Sequence, residues 1–199
     1  MRLRPCAVLA LTLLLAACSG SATSTDSSAS PSGAPSSAST PPPTTGASPS
    51  PAVPVKALPV PKACGSSGSE LTVKQAGACY LALTTVNNQV LPPLFQLVVT
   101  SATDPARVHD TARPAAAALA TSSQVLLGRR WPAAVAGPIR ELGQRHRDMA
   151  VIAARLVADT TTDQMAQDRG ALADARGDQQ AFCDLGSAIR APLGLPPVQ

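Results

Sequence analysis

The sequence predicts an all-α protein: an antiparallel up-down four-helix bundle with kinked helices, preceded by a disordered tether. From about residue 69 onward, apolar side chains recur every three or four positions, which is the spacing of one face of an α-helix. Hydrophobic residues make up 45% of the chain, mainly alanine, leucine and valine, whereas aromatic residues make up only 2%. This composition favours helices over sheets.

A capping box predicts the start of the first helix. Thr72 and Gln75 have the spacing at which two side chains satisfy the free backbone amides of a first helical turn. Pro92 and Pro93 interrupt the pattern that follows, and because proline lacks an amide donor, we expect a kink or a break there. The apolar stripe of this helix consists of Val73, Ala76, Tyr80, Leu83, Val90, Leu94 and Leu97.

Three further helices are predicted from their start and stop signals. Residues 104–105, Asp-Pro, supply a cap and a first-turn proline for the second helix, which we expect to end at Gly128. The third begins at residues 131–132, Trp-Pro, and the fourth is capped by the threonines at 160–162 and ends at Pro192. Four amphipathic helices joined by short loops are typical of an up-down bundle.

The first eighteen residues contain a leader-like pattern. Arg2 and Arg4 precede an apolar run over residues 6–15. That run is too short to cross a bilayer, which needs about 20 residues. Residues 15–18, Leu-Ala-Ala-Cys, then lead directly into a serine- and threonine-rich stretch. This segment resembles the lipobox of bacterial lipoproteins.

The lipobox resemblance implies a location and a modification. A leader of residues 1–17 would be removed, and Cys18 would become a lipidated N-terminus carrying two or three acyl chains. Such an anchor holds a protein firmly on a membrane. We therefore expect a lipid-anchored protein on the extracytoplasmic face of the cell membrane.

Residues 18–62 are predicted to be a disordered linker, and residues 63–199 the helical domain. The linker consists almost entirely of Ser, Thr, Pro, Ala and Gly, which bury too little apolar surface to offset the entropy of ordering. As a flexible coil it would reach roughly 35–40 Å. Its last part, residues 52–62, is more apolar, and we expect it to lie against the domain.

Taken whole, the chain resembles the small exported lipoproteins of actinobacteria. The resemblance lies in the order of its parts: the lipobox leader, the Ser/Thr/Pro tether and an Ala-rich helical ectodomain ending in LGLPP. It implies no particular activity.

The charge of the chain gives no indication of a nucleic-acid partner. The formal net charge is +4, but from residue 63 onward 12 basic residues face 11 acidic ones. Nucleic-acid binding requires a basic footprint on one face, and the sequence shows none. Arg140, Arg145 and Arg147 lie around Glu141 and Asp148. Because Arg145 is spaced to pair with Glu141 at i,i+4 and with Asp148 at i,i+3, we interpret this group as a solvated face.

Three cysteines remain in the predicted ectodomain. If the fourth helix runs antiparallel to the first, Cys79 and Cys183 lie at similar heights, roughly 11–12 Å from the same end of the bundle. The pair Cys79–Cys183 is therefore the first expectation for a disulfide. Cys64 precedes the first helix on a flexible segment, so Cys64–Cys79 and Cys64–Cys183 stay open as alternatives.

Three polar or sulfur-containing residues fall on the apolar stripes. Asn87 is interpreted as a polar residue that fixes helix register, with a ligand contact as the alternative. His146 and Met149 are soft ligands suited to Cu(I), but a thioether on an apolar stripe is ordinary core filler. The structural interpretation is preferred for this pair, and neither a metal nor another cofactor is expected.

Two classes of function remain. Since no acid/base or nucleophile set can be assembled from the sequence, we do not expect an enzyme. The first class is a non-catalytic helical binding or interaction domain that meets a protein partner at the cell surface. The alternative is an envelope lipoprotein that binds a small ligand or a metal of the copper type.

Overall fold

The computed structural model describes residues 54–100 and 103–197, apart from the side chain of Gln179. Within these ranges the chain forms five α-helices and no strand, which confirms the predicted all-α class. The predicted leader, Cys18 and the tether up to residue 53 lie outside the described residues. The helices are α1 (Val73–Val99), α2 (Pro105–Gly128), α3 (Ala133–Ala158), α4 (Thr162–Arg176) and α5 (Gln179–Arg190).

Side-chain caps start the helices as the sequence predicts. The Thr72 hydroxyl accepts a hydrogen bond from the Gln75 amide at 3.3 Å, and the Gln75 side chain accepts one from the Thr72 amide at 3.0 Å. Asp104 caps α2 directly ahead of Pro105. A second capping box, at Thr161, opens α4. Each cap satisfies amides that have no partner within the helix, and this defines where the helix begins.

Helix α1 runs through Pro92 and Pro93 to Val99 without ending there. Two prolines remove two intrahelical hydrogen bonds, which alone would favour a break. However, Leu94 and Leu97 follow in the next turn and are buried in the core. Burying two leucines contributes about 1.5–3 kcal/mol each, which is comparable with the cost of the prolines. Tertiary packing therefore continues the helix past them.

The prediction of a single fourth helix is wrong, because this part of the chain forms two helices, α4 and α5. Gly177 adopts a left-handed conformation with φ of +65°, which ends α4. Asp178 follows and caps α5 by accepting a hydrogen bond from the Gln180 amide. Leu185 and Ile189 of α5 then pack in the same cluster as residues of α1 and α3.

Each of the helices α1 to α3 packs on the next, α5 packs on α3, and α2 and α3 form the most extensive contact of the bundle. The facing side of α2 is rich in alanine, with Ala112, Ala115 and Ala116 fully or almost fully buried. Small side chains let the two helix axes approach closely. Gly143 of α3 lies at this contact, where a Cβ atom would come within 2.8 Å of Leu127 Cδ2.

Two glycine substitutions, one on α3 and one on α4, are expected to change stability in opposite directions. Gly143→Ala should lower the free energy of unfolding by about 1–2 kcal/mol, because the added methyl group overpacks the contact with α2. Gly170→Ala, inside α4, meets nothing within 4 Å. This substitution should raise the free energy of unfolding by about 0.5–1 kcal/mol, because alanine has a higher helix propensity than glycine. Urea unfolding of both variants measures this, and a stabilising Gly143→Ala would contradict the close packing described here.

A disulfide joins Cys64 to Cys79, with an S–S distance of 2.06 Å. The first expectation, Cys79–Cys183, is therefore wrong, and one of the two alternatives is correct. Cys79 and Cys183 would lie at similar heights if the fourth helix were continuous, but Gly177 interrupts that helix. Instead, a 3-10 turn at Lys62–Cys64 folds the chain back over the start of α1, so that the Cα atoms of Cys64 and Cys79 lie 4.6 Å apart.

The segment before the domain lies on its surface, as expected for its apolar composition. Val55 packs against the core cluster that contains α2 and α3. The Thr121 hydroxyl donates a hydrogen bond to the Leu58 carbonyl oxygen at 3.0 Å. The part of the predicted linker from residue 54 onward is thus placed along the bundle.

Candidate functional site

Four arginines converge on one groove between the end of α2 and the first half of α3. The groove has a volume of about 540 Å³. A volume of about 300–1,000 Å³ is typical of sites for small molecules. Its polar and aromatic lining consists of Arg129, Arg130, Trp131, Arg140, Gln144 and Arg147.

Helical spacing explains why three of these residues share a face. Arg140, Gln144 and Arg147 follow one another at intervals of four and three residues along α3. Side chains at these intervals lie one above the other on one side of a helix. From the sequence, these two arginines and Arg145 were expected to form a solvated face with Glu141 and Asp148. Only part of that interpretation is confirmed, since Arg145 binds Glu141 at 2.8 Å whereas Arg140 and Arg147 line the groove.

The disulfide-closed segment holds the other two arginines in place. Arg129 donates from Nε to the Cys64 carbonyl oxygen at 2.9 Å and from Nη2 to the Gly65 carbonyl oxygen at 3.1 Å. The backbone of Arg130 is bonded on both sides, since its amide donates to Ser69 and its carbonyl oxygen accepts from Leu71. The α2–α3 corner is therefore fixed by the chain that leads into α1.

The positive charge of the groove is not neutralised by its surroundings. No aspartate or glutamate is among the residues that line it. Within the described part of the chain, the guanidinium groups of Arg130, Arg140 and Arg147 make no ion pair. Helix α3 begins beside the groove at Ala133, and no side chain caps it, so the positive end of its dipole adds to the same field. The groove is suited to an anion.

Trp131 forms a rigid wall of the groove. Its indole Nε1 donates a hydrogen bond to the Leu126 carbonyl oxygen at 3.0 Å, and its side chain is buried, with an exposed fraction of 8%. It is the one tryptophan of the whole sequence. Because the ring lines the groove, its fluorescence and its indole N–H signal report directly on that site.

A second, smaller cavity lies between α1, α3 and α5. It has a volume of about 70 Å³, and its lining includes Tyr80, Asn87 and His146. Asn87 is buried, and its amide is bonded twice to Ser122 of α2: Nδ2 donates to Oγ at 3.0 Å, and Oγ donates to Oδ1 at 3.1 Å. This reciprocal pair fits the expected register role, while the cavity keeps the ligand alternative open.

His146 is uncharged at neutral pH. Burial lowers the pKa of its imidazole to about 4, and its Nδ1 atom makes no hydrogen bond. Burial also raises the pKa of the Tyr80 phenol, against the opposing effects of Arg190 and Thr84. The cavity therefore presents neutral polar groups and no charge, which suits water or a small neutral molecule.

The structure does not bring the predicted His146–Met149 pair to one site. His146 lines the cavity, whereas Met149 is not among the lining residues and packs in the core with Met165. Among the described residues, no cluster of three or more His, Cys, Asp or Glu side chains could hold a metal ion. The predicted lipidation site, Cys18, lies outside the described residues.

Sequence reasoning missed the arginine groove because its parts come from two places in the chain. Arg129 and Arg130 directly follow α2, while Arg140 and Arg147 lie about two and four turns into α3. The interval 140–144–147 was the available signal, since it places two arginines on one face of a helix and neither has an acidic residue three or four positions away. The tight α2–α3 corner that joins both pairs depends on tertiary packing.

Comparison with known proteins identifies no relative: no family model, no curated protein and no solved structure matches this chain. In the described part of the chain, none of the helices has both the length and the apolar character needed to cross a bilayer.

Proposed function

We propose that this protein is a membrane-anchored exported lipoprotein that presents a non-catalytic helical binding domain at the cell surface. The binding face in this proposal is the arginine groove, and its partner is an anion. The lipobox-like residues at 15–18 support the anchor, and the linker that follows supports presentation at a distance from the membrane.

The observation that carries the proposal is the set of four arginines around one groove without an acidic partner. Arginine has a planar guanidinium group with five donors, which matches the oxygen atoms of phosphate and carboxylate groups. Three of the four guanidinium groups have their donors available, and Arg129 holds the corner rigid. A rigid donor set reduces the entropy cost of binding.

The chemistry of the groove favours binding over catalysis. Its polar residues are arginines, one glutamine and the tryptophan, which donate hydrogen bonds but supply neither a general base nor a nucleophile. A reaction would need such a group within reach of the bound molecule.

Lipid anchoring is tested by intact mass. We expect the full chain, expressed in a lipoprotein-processing bacterial host, to be recovered from membranes with a mass that begins at Cys18 and includes acyl chains. The variant Cys18→Ala should lose both the acyl mass and the membrane association. A wild-type chain that keeps its leader, or carries no lipid, would contradict the anchor.

The groove is tested by removing charge from its α3 side. For the full chain carrying Cys18→Ala, which needs no detergent, we expect Arg140→Gln with Arg147→Gln to weaken pyrophosphate binding at least about 10-fold. Each lost charge-assisted hydrogen bond is worth about 1.5–3 kcal/mol. The matched control is Arg107→Gln with Arg113→Gln, two exposed arginines outside the groove. Calorimetric titration measures both, and equal weakening in the control would contradict a specific site.

The alternative function is a small-ligand protein that uses the Asn87–His146 cavity. The cavity is lined by two residues that the sequence singles out, and His146 Nδ1 is buried without a hydrogen-bond partner. A ligand there would be small and uncharged, because the site holds no ionised group. Loss of binding in His146→Leu with full binding in the arginine variants would favour this alternative.

A further inference from the structure

We propose that the arginine groove and the apolar groove next to it form one site for an amphiphile with a phosphate head and a single alkyl tail. This inference rests on the proposed function, since it names the ligand class of the same groove. The head lies among the arginines, and the tail runs along the seam between α2 and α3.

The two grooves meet at Arg147, which lines both. The second groove has a volume of about 300 Å³. Its lining is otherwise almost entirely aliphatic: Val55, Ala116, Ala120, Ala150, Val151 and Ala154, with Ser123. The Ser123 hydroxyl donates to the Ala120 carbonyl oxygen at 2.9 Å, so its hydrogen is already used.

Helix geometry makes the two grooves continuous. On α3, Arg140, Gln144 and Arg147 are followed at the same intervals by Ala150 or Val151 and then Ala154. One face of the helix therefore carries charge in its first half and aliphatic side chains in its second half. From Arg147 to Ala154 the helix rises about 10 Å. The site thus has a charged end and an apolar channel in line with it.

The segment before the domain adds to the aliphatic wall of this groove. Val55 lines it and packs against the core cluster that contains Ala116 and Ala154. Val151 in the same groove remains 47% exposed, although it lies on the most extensively packed helix pair of the bundle. Exposed aliphatic surface directly beside uncompensated positive charge is complementary to a molecule that joins an anion to a hydrocarbon tail.

A phosphate monoester suits the head position better than a carboxylate. Four arginines line the groove and no acidic residue balances them. A phosphate monoester carries a charge of about −1.5 to −2 at pH 7, with three oxygen atoms that accept strong hydrogen bonds. A carboxylate supplies a single charge and two acceptors.

The test compares four soluble probes by calorimetric titration of the full chain carrying Cys18→Ala: octanoyl lysophosphatidate, glycerol phosphate, octanoyl lysophosphatidylcholine and octanoate. Lysophosphatidate is expected to bind at least about 100-fold more tightly than glycerol phosphate, because each buried methylene contributes about 4-fold. The other two probes, which lack either the net charge of the head or its phosphate, are expected to bind at least about 10-fold more weakly than lysophosphatidate.

Variants separate the head from the tail. Val151→Asp places a charge in the apolar groove and should weaken lysophosphatidate at least about 10-fold, while leaving glycerol phosphate unchanged. Val99→Asp, at an exposed valine outside both grooves, is the matched control and should change neither. Arg147→Gln should weaken both ligands, because Arg147 belongs to the head.

Each other outcome overturns a defined part of the account. Equal affinity for lysophosphatidate and glycerol phosphate would show a site for free phosphate compounds; it would overturn this inference and leave the proposed anion groove standing. Equal affinity for octanoate would overturn the phosphate head. Absence of binding by every phosphate probe would overturn both the inference and the groove of the proposed function.

Discussion

Replacing Arg155 with methionine is expected to lower the free energy of unfolding by about 3–5 kcal/mol. Arg155 contacts one oxygen of Asp168 with two nitrogen atoms: Nε donates a hydrogen bond to it at 2.9 Å, and Nη2 lies 2.8 Å from it in an ion pair. The Asp168 side chain is only 2% exposed, so the variant leaves a carboxylate in the core without this partner. Breaking a buried pair by removing one member costs far more than the pair itself contributes, because the desolvated charge remains.

The surface pair on α3 supplies the control. Arg145 binds Glu141 at the same distance, 2.8 Å, but the Glu141 side chain is 54% exposed. Arg145→Met should therefore cost no more than about 1 kcal/mol. Urea unfolding at neutral pH measures both variants. Equal losses for Arg155→Met and Arg145→Met would contradict the burial of Asp168 described here.

His146 is expected to make the domain less stable in acid. Burial lowers the pKa of the folded-state imidazole to about 4, against 6.5 for an exposed histidine. Between these two pH values the unfolded chain takes up a proton that the folded domain does not. Above about pH 6.5 the titration of His146 therefore leaves the free energy of unfolding unchanged. Below that pH it lowers the free energy of unfolding, by about 3 kcal/mol at pH 4.

This contribution is isolated by comparison with His146→Gln. Between pH 7 and pH 4, the free energy of unfolding of the variant should fall by about 3 kcal/mol less than that of the wild type, since glutamine does not titrate. Tyr80 is the other titratable residue lining the cavity, and its raised pKa keeps it neutral throughout this range. Denaturant unfolding at several pH values gives both curves. Parallel curves for the two proteins would show that His146 is not buried in its neutral form.

The helix starts could be predicted from the sequence because their causes are local. Thr72 with Gln75, Asp104 with Pro105, and the threonines before α4 each act within a few residues. Two features of the helices that local signals do not decide also have physical reasons: the course of α1 past its prolines and the break in the predicted fourth helix. Buried Leu94 and Leu97 continue α1 through two prolines, and Gly177 ends α4 in a stretch whose apolar pattern continues beyond it.

The disulfide and the groove could not be predicted in the same way, because both depend on how distant segments meet. Cys64 reaches Cys79 only because a short 3-10 turn reverses the chain before α1. That same segment then fixes Arg129, 65 residues away from Cys64 in the sequence. The placement of four arginines in one groove is therefore a property of the tertiary fold.

The central claim, that the groove between α2 and α3 is the anion-binding face, is tested most directly by NMR. The measurement is a titration of the ¹⁵N-labelled full chain carrying Cys18→Ala with pyrophosphate. The account predicts shifts of the single indole N–H signal of Trp131 and of the Nε–H signals of Arg140 and Arg147. Shifts confined instead to the Asn87 side-chain amide and the residues around His146 would contradict it and place the binding site in the smaller cavity.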